Sequence, residues 1–156
     1  MAAPERPSPD LNPVVRIGQG ALVGRTTAGI LAFRGIPYAA PPVGPLRWRA
    51  PRPPVSWPGM RDASTVGPIC VQPLVRGDPG VGPLPMSEDC LTLNVWTPDP
   101  GKGRLPVMVW IHGGALVNGS GTAALYDGAG LARRGVVGGA LNYRLGRRGC
   151  FAPPGL

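Results

Sequence analysis

Leu105-Pro106-Val107-Met108-Val109-Trp110-Ile111-His112-Gly113-Gly114-Ala115-Leu116 is the stretch on which the fold turns. From Leu105 to Ile111 it is apolar almost throughout, which predicts a strand buried on both faces. Two glycines follow one residue later. A strand that runs straight into such a loop can present backbone N–H groups to the oxyanion of an acyl-transfer intermediate. Glycine suits Gly113 and Gly114 because the backbone there must turn sharply and approach a substrate closely. The bland reading of His112-Gly113-Gly114 alone is a tight turn after a strand. No G-x-S-x-G nucleophile elbow follows in the residues up to Leu156.

Working outward, residues 91–97 alternate apolar and polar side chains and predict a strand half buried on one face. Residues 98–104 make the turn that leads into the deciding stretch. Beyond it, residues 127–134 predict a short helix. Asp127 is placed to cap its start, Arg133 and Arg134 suit its C-terminal dipole, and Gly135 suits its stop. Residues 136–143 predict a second buried strand, although Gly138 and Gly139 weaken it through entropy and lost packing. A strand, a loop with a short helix, then a strand is the grammar of a parallel sheet. Nearer the start, residues 14–27 alternate around Gly18-Gln19-Gly20 and predict a hairpin, with the next strand at 30–33. Glycine and proline force an irregular path over 35–44, no periodic element fits 47–58, and 71–85 is a long loop. The expectation is an α/β fold: a hairpin, then strands of a central sheet, within residues 14–156. Residues 1–13, polar and Pro-rich, are expected to be a flexible tail.

The chain of 156 residues holds 25 glycines and 22 prolines, yet 43% of it is hydrophobic and no low-complexity repeat occurs. That balance predicts a loop-rich globular segment with short strands rather than disorder. The formal charge of +8 comes almost entirely from scattered arginines, Lys102 being the one lysine. Nucleic-acid binding favours a continuous basic stripe or a known motif, and neither is visible. No run of 18 apolar residues could form a membrane span. His112 is the single histidine and no C-x-x-C pair exists, so neither a metal site nor a cofactor is expected. Cys70 and Cys90 flank the long loop, and a disulfide between them would stabilise the fold by about 3 kcal/mol. Cys150 is left unpaired. A disulfide points to an oxidising compartment, whereas residues 1–13 lack the build of a secretory signal, so localisation is open.

Four blocks together resemble the type B carboxylesterases, a branch of the α/β-hydrolase fold. They are Phe33-Arg34-Gly35-Ile36-Pro37-Tyr38-Ala39-Ala40-Pro41-Pro42-Val43-Gly44, Ser87-Glu88-Asp89-Cys90-Leu91-Thr92-Leu93-Asn94-Val95, Val109-Trp110-Ile111-His112-Gly113-Gly114-Ala115 and Asn142-Tyr143-Arg144-Leu145-Gly146. They stand in the family's order and with family-like spacing. The resemblance implies hydrolysis of a small-molecule carboxylic ester by a serine nucleophile. It also implies that this chain matches the N-terminal part of such an enzyme. Its mixed sheet would be incomplete, and the catalytic Ser, acid and His would lie in a C-terminal part of the same fold. Hydrolysis by these 156 residues alone is therefore not expected. The rival from a different class is a non-catalytic remnant, or an adhesion-type relative that uses the fold for binding.

By resemblance, the backbone N–H groups of Gly114 and Ala115 would be two of three oxyanion donors. His112 would shape the loop rather than act as the triad base. Glu88 would pair with Arg47 in a structural salt bridge, and Arg144 would pair with an acid further along. Gly119-Ser120-Gly121 lacks the elbow pattern, so Ser120 reads as a loop serine, as does Ser87. Trp96 and Trp110 read as sheet packing. The chain departs from the family pattern at Gly138 and Gly139, at Cys150, and at Leu116, where Phe is common beside the acyl site. These departures suggest a partial or decaying gene product.

Overall fold

Gly24 divides the first predicted hairpin into two. A Cβ there would sit 2.5 Å from the Ala32 carbonyl oxygen and 2.7 Å from the Phe33 ring, so the chain crosses β-structure at a point where only glycine fits. Before it, β1 (Val14–Ile17) and β2 (Gly20–Val23) pair antiparallel around the Gly18-Gln19 turn. After it, β3 (Arg25–Thr27) leaves that sheet and pairs instead with β4 (Ile30–Pro37). The structure is a computed structural model and describes residues 12–75, 77, 84–99, 101 and 103–150. The tail expected at 1–13 lies, as far as residue 11, outside the described residues.

Three short strands follow: β5 (Met60–Asp62), which adds to β2 in parallel, and the parallel pair β6 (Ile69–Cys70) and β7 (Met86–Ser87). The central sheet is completed by β8 (Thr92–Thr97), β9 (Val107–Ile111) and β10 (Val137–Leu141), in the order β3-β4-β8-β10-β9. The β9–β10 pair is parallel and the other pairs are antiparallel, so the sheet is mixed. Between β9 and β10 runs α1 (Ala129–Ala132), and after β10 comes a single turn, α2 (Gly146–Gly149).

The helix is shorter than its sequence pattern suggests. Its N-cap is Gly128; Asp127 instead accepts the Ala129 N–H at 2.8 Å, two residues on. Its end is as predicted. Gly135 takes φ +80°, its N–H reaches the Ala132 carbonyl, and the Val136 N–H reaches the Leu131 carbonyl, which together close a Schellman stop. Gly138 in β10 also has a reason, whereas a Cβ on Gly139 would make only ordinary contacts, the nearest at 3.8 Å. A Cβ on Gly138 would press on the Gly128 Cα at 3.3 Å, and one on Gly128 would strike the Trp96 ring at 2.7 Å. Small residues here let α1 lie directly on the sheet.

Core residues fall on both faces of the sheet. Ile30, Ala32, Trp96, Ala132 and Ala140 pack together under α1. Leu22, Phe33, Ile36 and Ala63 pack on the side of β2. A register shift between Phe33 and Ile36 lets β4 serve the second cluster twice. The strand β8 differs from its prediction: the most buried residues include Thr92 and Asn94, while Leu93 and Val95 are half buried on the opposite face. The latter line an apolar groove of about 600 Å³ with Val15, Ile17, Leu22 and Phe33.

The largest correction concerns β9. Every residue of it is exposed, Val107 by 67% and Ile111 by 64%. Its apolar run has the composition of a doubly covered strand, but among the described residues β9 pairs only with β10 and stands at the sheet edge. Trp110 accordingly is 47% exposed and meets one aromatic neighbour, Tyr126, at 5.1 Å, whereas Trp96 is buried as expected.

A candidate oxyanion-binding loop

The loop after β9 stands at the carboxyl ends of the parallel pair, the usual position for a ligand crevice in a sheet of this kind. Its backbone is bent hard. Gly114 takes φ +109°, and Ala115 and Leu116 follow at +53° and +63°. Consecutive non-glycine residues in the left-handed region cost roughly 1–3 kcal/mol each and persist only where the surroundings fix them. Gly113 needs no such freedom, having no left-handed φ and open space where a Cβ would stand. The sequence argument for glycine therefore holds at Gly114 and not at Gly113.

Three hydrogen bonds explain how the loop aims its amides. His112 Nδ1 lies 2.8 Å from the Gly113 carbonyl oxygen and donates to it as the Nδ1–H tautomer. The Gly114 carbonyl accepts the N–H groups of Val117 at 2.9 Å and Asn118 at 3.2 Å. No peptide here is cis, so each N–H points opposite to its own carbonyl. With the Gly113 and Gly114 carbonyls held inside the loop, the N–H groups of Gly114 and Ala115 face away from those bonds. Neither has an acceptor among the described residues. Adjacent backbone N–H groups of this kind are the donors from which anion-binding concavities are built.

His112 is buried, with only 3% of its surface exposed. Its ring stacks on Tyr143 at 4.3 Å, and the Tyr143 hydroxyl donates to the His112 carbonyl at 2.7 Å. Burial pushes its pKa below the ordinary histidine value, and the bond to the Gly113 carbonyl offsets this in part. The ring is thus a neutral strut at pH 7. Behind it, Gly119 takes φ +120° and leaves no room for a Cβ beside the His112 ring. Gln72 clamps Gly119 from below, accepting its N–H at 2.6 Å and donating to its carbonyl at 2.9 Å.

Ser120 has no exposed surface. Its hydroxyl is taken up by the Thr122 side chain, the Thr122 N–H and Asn142 Oδ1. That is the setting of a structural serine. Two asparagines that stand in the quoted blocks without an assigned role form the floor. Asn142 Oδ1 accepts the Gly121 N–H at 2.8 Å and its Nδ2 donates to the Pro68 carbonyl at 3.2 Å. Asn94 Oδ1 accepts the Gly35 N–H at 3.0 Å and its Nδ2 donates to the Gly121 carbonyl at 3.2 Å. Buried amides at strand positions are the signal that could have marked them.

Cys70 and Cys90 are disulfide-bonded with Cα atoms 5.1 Å apart, and Cys150 is free and exposed. Arg47 and Glu88 pair at 2.8 Å. A second arginine, Arg148, reaches the other Glu88 oxygen at 2.6 Å, which the sequence did not suggest. These partners, Arg148 first and Arg47 next, hold the Glu88 carboxyl below the usual range. Arg144 donates to the Arg49 carbonyl at 2.9 Å. Among the described residues no helix is long and apolar enough to cross a membrane.

Comparison with known proteins identifies the family and the fold. The model of the carboxylesterase family matches residues 11–153. The chain is 48% identical to phenmedipham hydrolase of Pseudarthrobacter oxydans over 92% of its own length and 30% of that enzyme's. It is likewise 48% identical to the para-nitrobenzyl esterase of Bacillus subtilis, over 85% of this chain and 28% of the relative. Among solved structures, a PNB esterase superposes with a TM-score of 0.83 at 46% identity, covering 89% of this chain and 29% of that one. A thermophilic PNB esterase gives 0.83 at 45% identity, with the same coverage. The chain spans less than a third of the relatives it matches, so its fold is part of an α/β-hydrolase.

Proposed function

The chain belongs to the carboxylesterase family, and on that premise we propose that it forms the oxyanion-binding front of a serine carboxylesterase. The single observation that carries the reading is the pair of outward amides at Gly114 and Ala115, each aimed by an internally bonded carbonyl. In the proposed reaction a serine hydroxyl attacks the carbonyl carbon of a small carboxylic ester. The carbonyl electron pair moves to oxygen, and that oxyanion accepts hydrogen bonds from Gly114 and Ala115 and from a third amide beside the nucleophile. Collapse expels the alcohol with a proton, and water then releases the acid from the acyl-enzyme. His112, buried and committed to Gly113, positions the loop and transfers no proton.

Residues 14–156 supply neither an elbow serine nor a second histidine, so by this reading they hydrolyse no ester unaided. The exposed apolar faces of β9 and the groove beneath β8 are where the rest of such a sheet and its covering helices would pack. Burial at roughly 25 cal/mol per Å² is the driving force for that association. The test is a chimera in which this chain replaces the matching segment of the Bacillus subtilis para-nitrobenzyl esterase. Hydrolysis of a para-nitrophenyl ester by the folded chimera, and none by the 156-residue chain, is expected. A folded, inactive chimera would overturn the reading in favour of a binding role for the fold.

A further inference from the structure

The strained loop is held at its exit as well as at its entry. The Leu116 carbonyl accepts the N–H of Gly146, the first residue of α2, at 2.7 Å. The α2 turn is fastened in turn from two sides. Arg148 Nε donates to Glu88 at 2.6 Å, and the Trp48 indole N–H donates to the Arg147 carbonyl at 2.9 Å. Trp48 itself takes φ +62°, a left-handed conformation that is a true outlier for a bulky side chain. Its exposure is 48%, so burial of the ring does not explain the strain. The hydrogen bond to α2, with the Arg47 guanidinium 5.9 Å from the ring centre, does.

We infer that Trp48, together with the Glu88–Arg148 pair, is a brace that holds α2 against Leu116 and thereby sets the spacing of the Gly114 and Ala115 amides. The inference rests on the proposed role of those amides. The geometry runs in one direction along the chain of contacts. Glu88 is anchored two residues from the disulfide at Cys90. It fixes Arg148, and α2 presents the Gly146 N–H to Leu116. Leu116 follows Ala115 directly, so a shift of its carbonyl plane is transmitted to the neighbouring peptides. Trp48 is thus a positioning residue, remote from any reacting atom.

Trp48→Phe in the full 156-residue chain, read by amide hydrogen exchange and by 1H–15N shifts, tests the brace without turnover. Loss of one neutral hydrogen bond predicts about fivefold faster exchange at Gly146, with shifts at Gly114 and Ala115. Arg148→Gln acts at an exposed side chain and is expected to move the same three amides. The control is Trp57→Phe, which loses a matching indole bond, to the Ala21 carbonyl at 2.9 Å, in the N-terminal sheet. It is expected to leave Gly114, Ala115 and Gly146 unmoved. Unchanged Gly146 exchange in both brace variants, or an equal response to Trp57→Phe, would overturn the inference. Because activity is not measured, a failed brace and a failed oxyanion reading give different results.

Discussion

Gly114→Ala is the sharpest perturbation the loop offers. A Cβ at Gly114 would lie 1.8 Å from the Asn118 carbonyl oxygen and 2.7 Å from its carbon, and the backbone φ of +109° is one that L side chains rarely adopt. Both penalties point the same way: the turn from Gly114 to Asn118 must open. Opening gives up the two amide bonds onto the Gly114 carbonyl, at about 1 kcal/mol each. A loss of about 2 kcal/mol corresponds to about thirtyfold faster hydrogen exchange at the Val117 amide. Gly113→Ala, one residue earlier, meets no atom and no strained φ, so exchange there should rise less than about threefold. In the esterase chimera, freeing the Gly114 carbonyl also frees the Ala115 N–H. Loss of one oxyanion donor costs about 10²–10³ in kcat, with little change in KM because the interaction exists in the transition state alone. The assay is para-nitrophenyl ester hydrolysis beside a thermal melt that confirms folding. A folded Gly114→Ala chimera with kcat within about threefold of the parent would refute the reasoning.

Reduction of the Cys70–Cys90 bond, or its replacement by two serines, is expected to cost about 3 kcal/mol, read as a lower denaturant midpoint with a slope that rises as the unfolded chain expands. Glu88 has a depressed folded pKa, so its stabilising contribution is present above the unfolded value near 4.5 and is lost as pH falls below it. Glu88→Gln should flatten the acid limb of a stability–pH curve, and an unaltered limb would show that the carboxylate contributes nothing. His112 also has a depressed folded pKa. Below the ordinary value of 6.5 the unfolded chain takes up a proton that the folded chain refuses, so stability is full above that pH and declines beneath it. As the only histidine, its ring resonances give the titration directly, and a midpoint at or above 6.5 would contradict the neutral-strut geometry.

Much of the sheet was legible because alternation and turn residues are local. The Gly18-Gln19 turn, the strand at 91–97, the Gly135 stop and the strand after it follow from neighbours a few residues away. What escaped depends on remote partners. The apolar run of β9 reports what its side chains favour and not which neighbours stand beside it, and β9 lies at an edge. The buried Thr92 and Asn94 invert the usual reading of alternation, because Asn94 satisfies the Gly35 N–H and the Gly121 carbonyl, which no periodicity reveals. The oxyanion candidates Gly114 and Ala115 were found by motif, but their aim is set by carbonyl bonding that a motif does not encode. Gln72, Trp48 and Arg148 were missed for the same reason: each acts across 47, 99 or 60 residues of chain.

The asparagine floor governs when the loop gains its long-range support. Asn142 ties itself to Pro68 across 74 residues, and the Tyr38 hydroxyl reaches the Asn142 carbonyl across 104. Closure of such long spans carries an entropic cost before any contact rewards it, and it slows the step that makes them. During synthesis from the N-terminus, β1 to β8 can pair while Asn142 is still untranslated. The contacts that Asn142 and Tyr143 make with Ser120, Gly121 and His112 then wait until β10 and the residues after it arrive. The strained loop therefore gains its full support only after β10 is made, and any variant that delays β10 prolongs the exposure of an apolar edge to other chains.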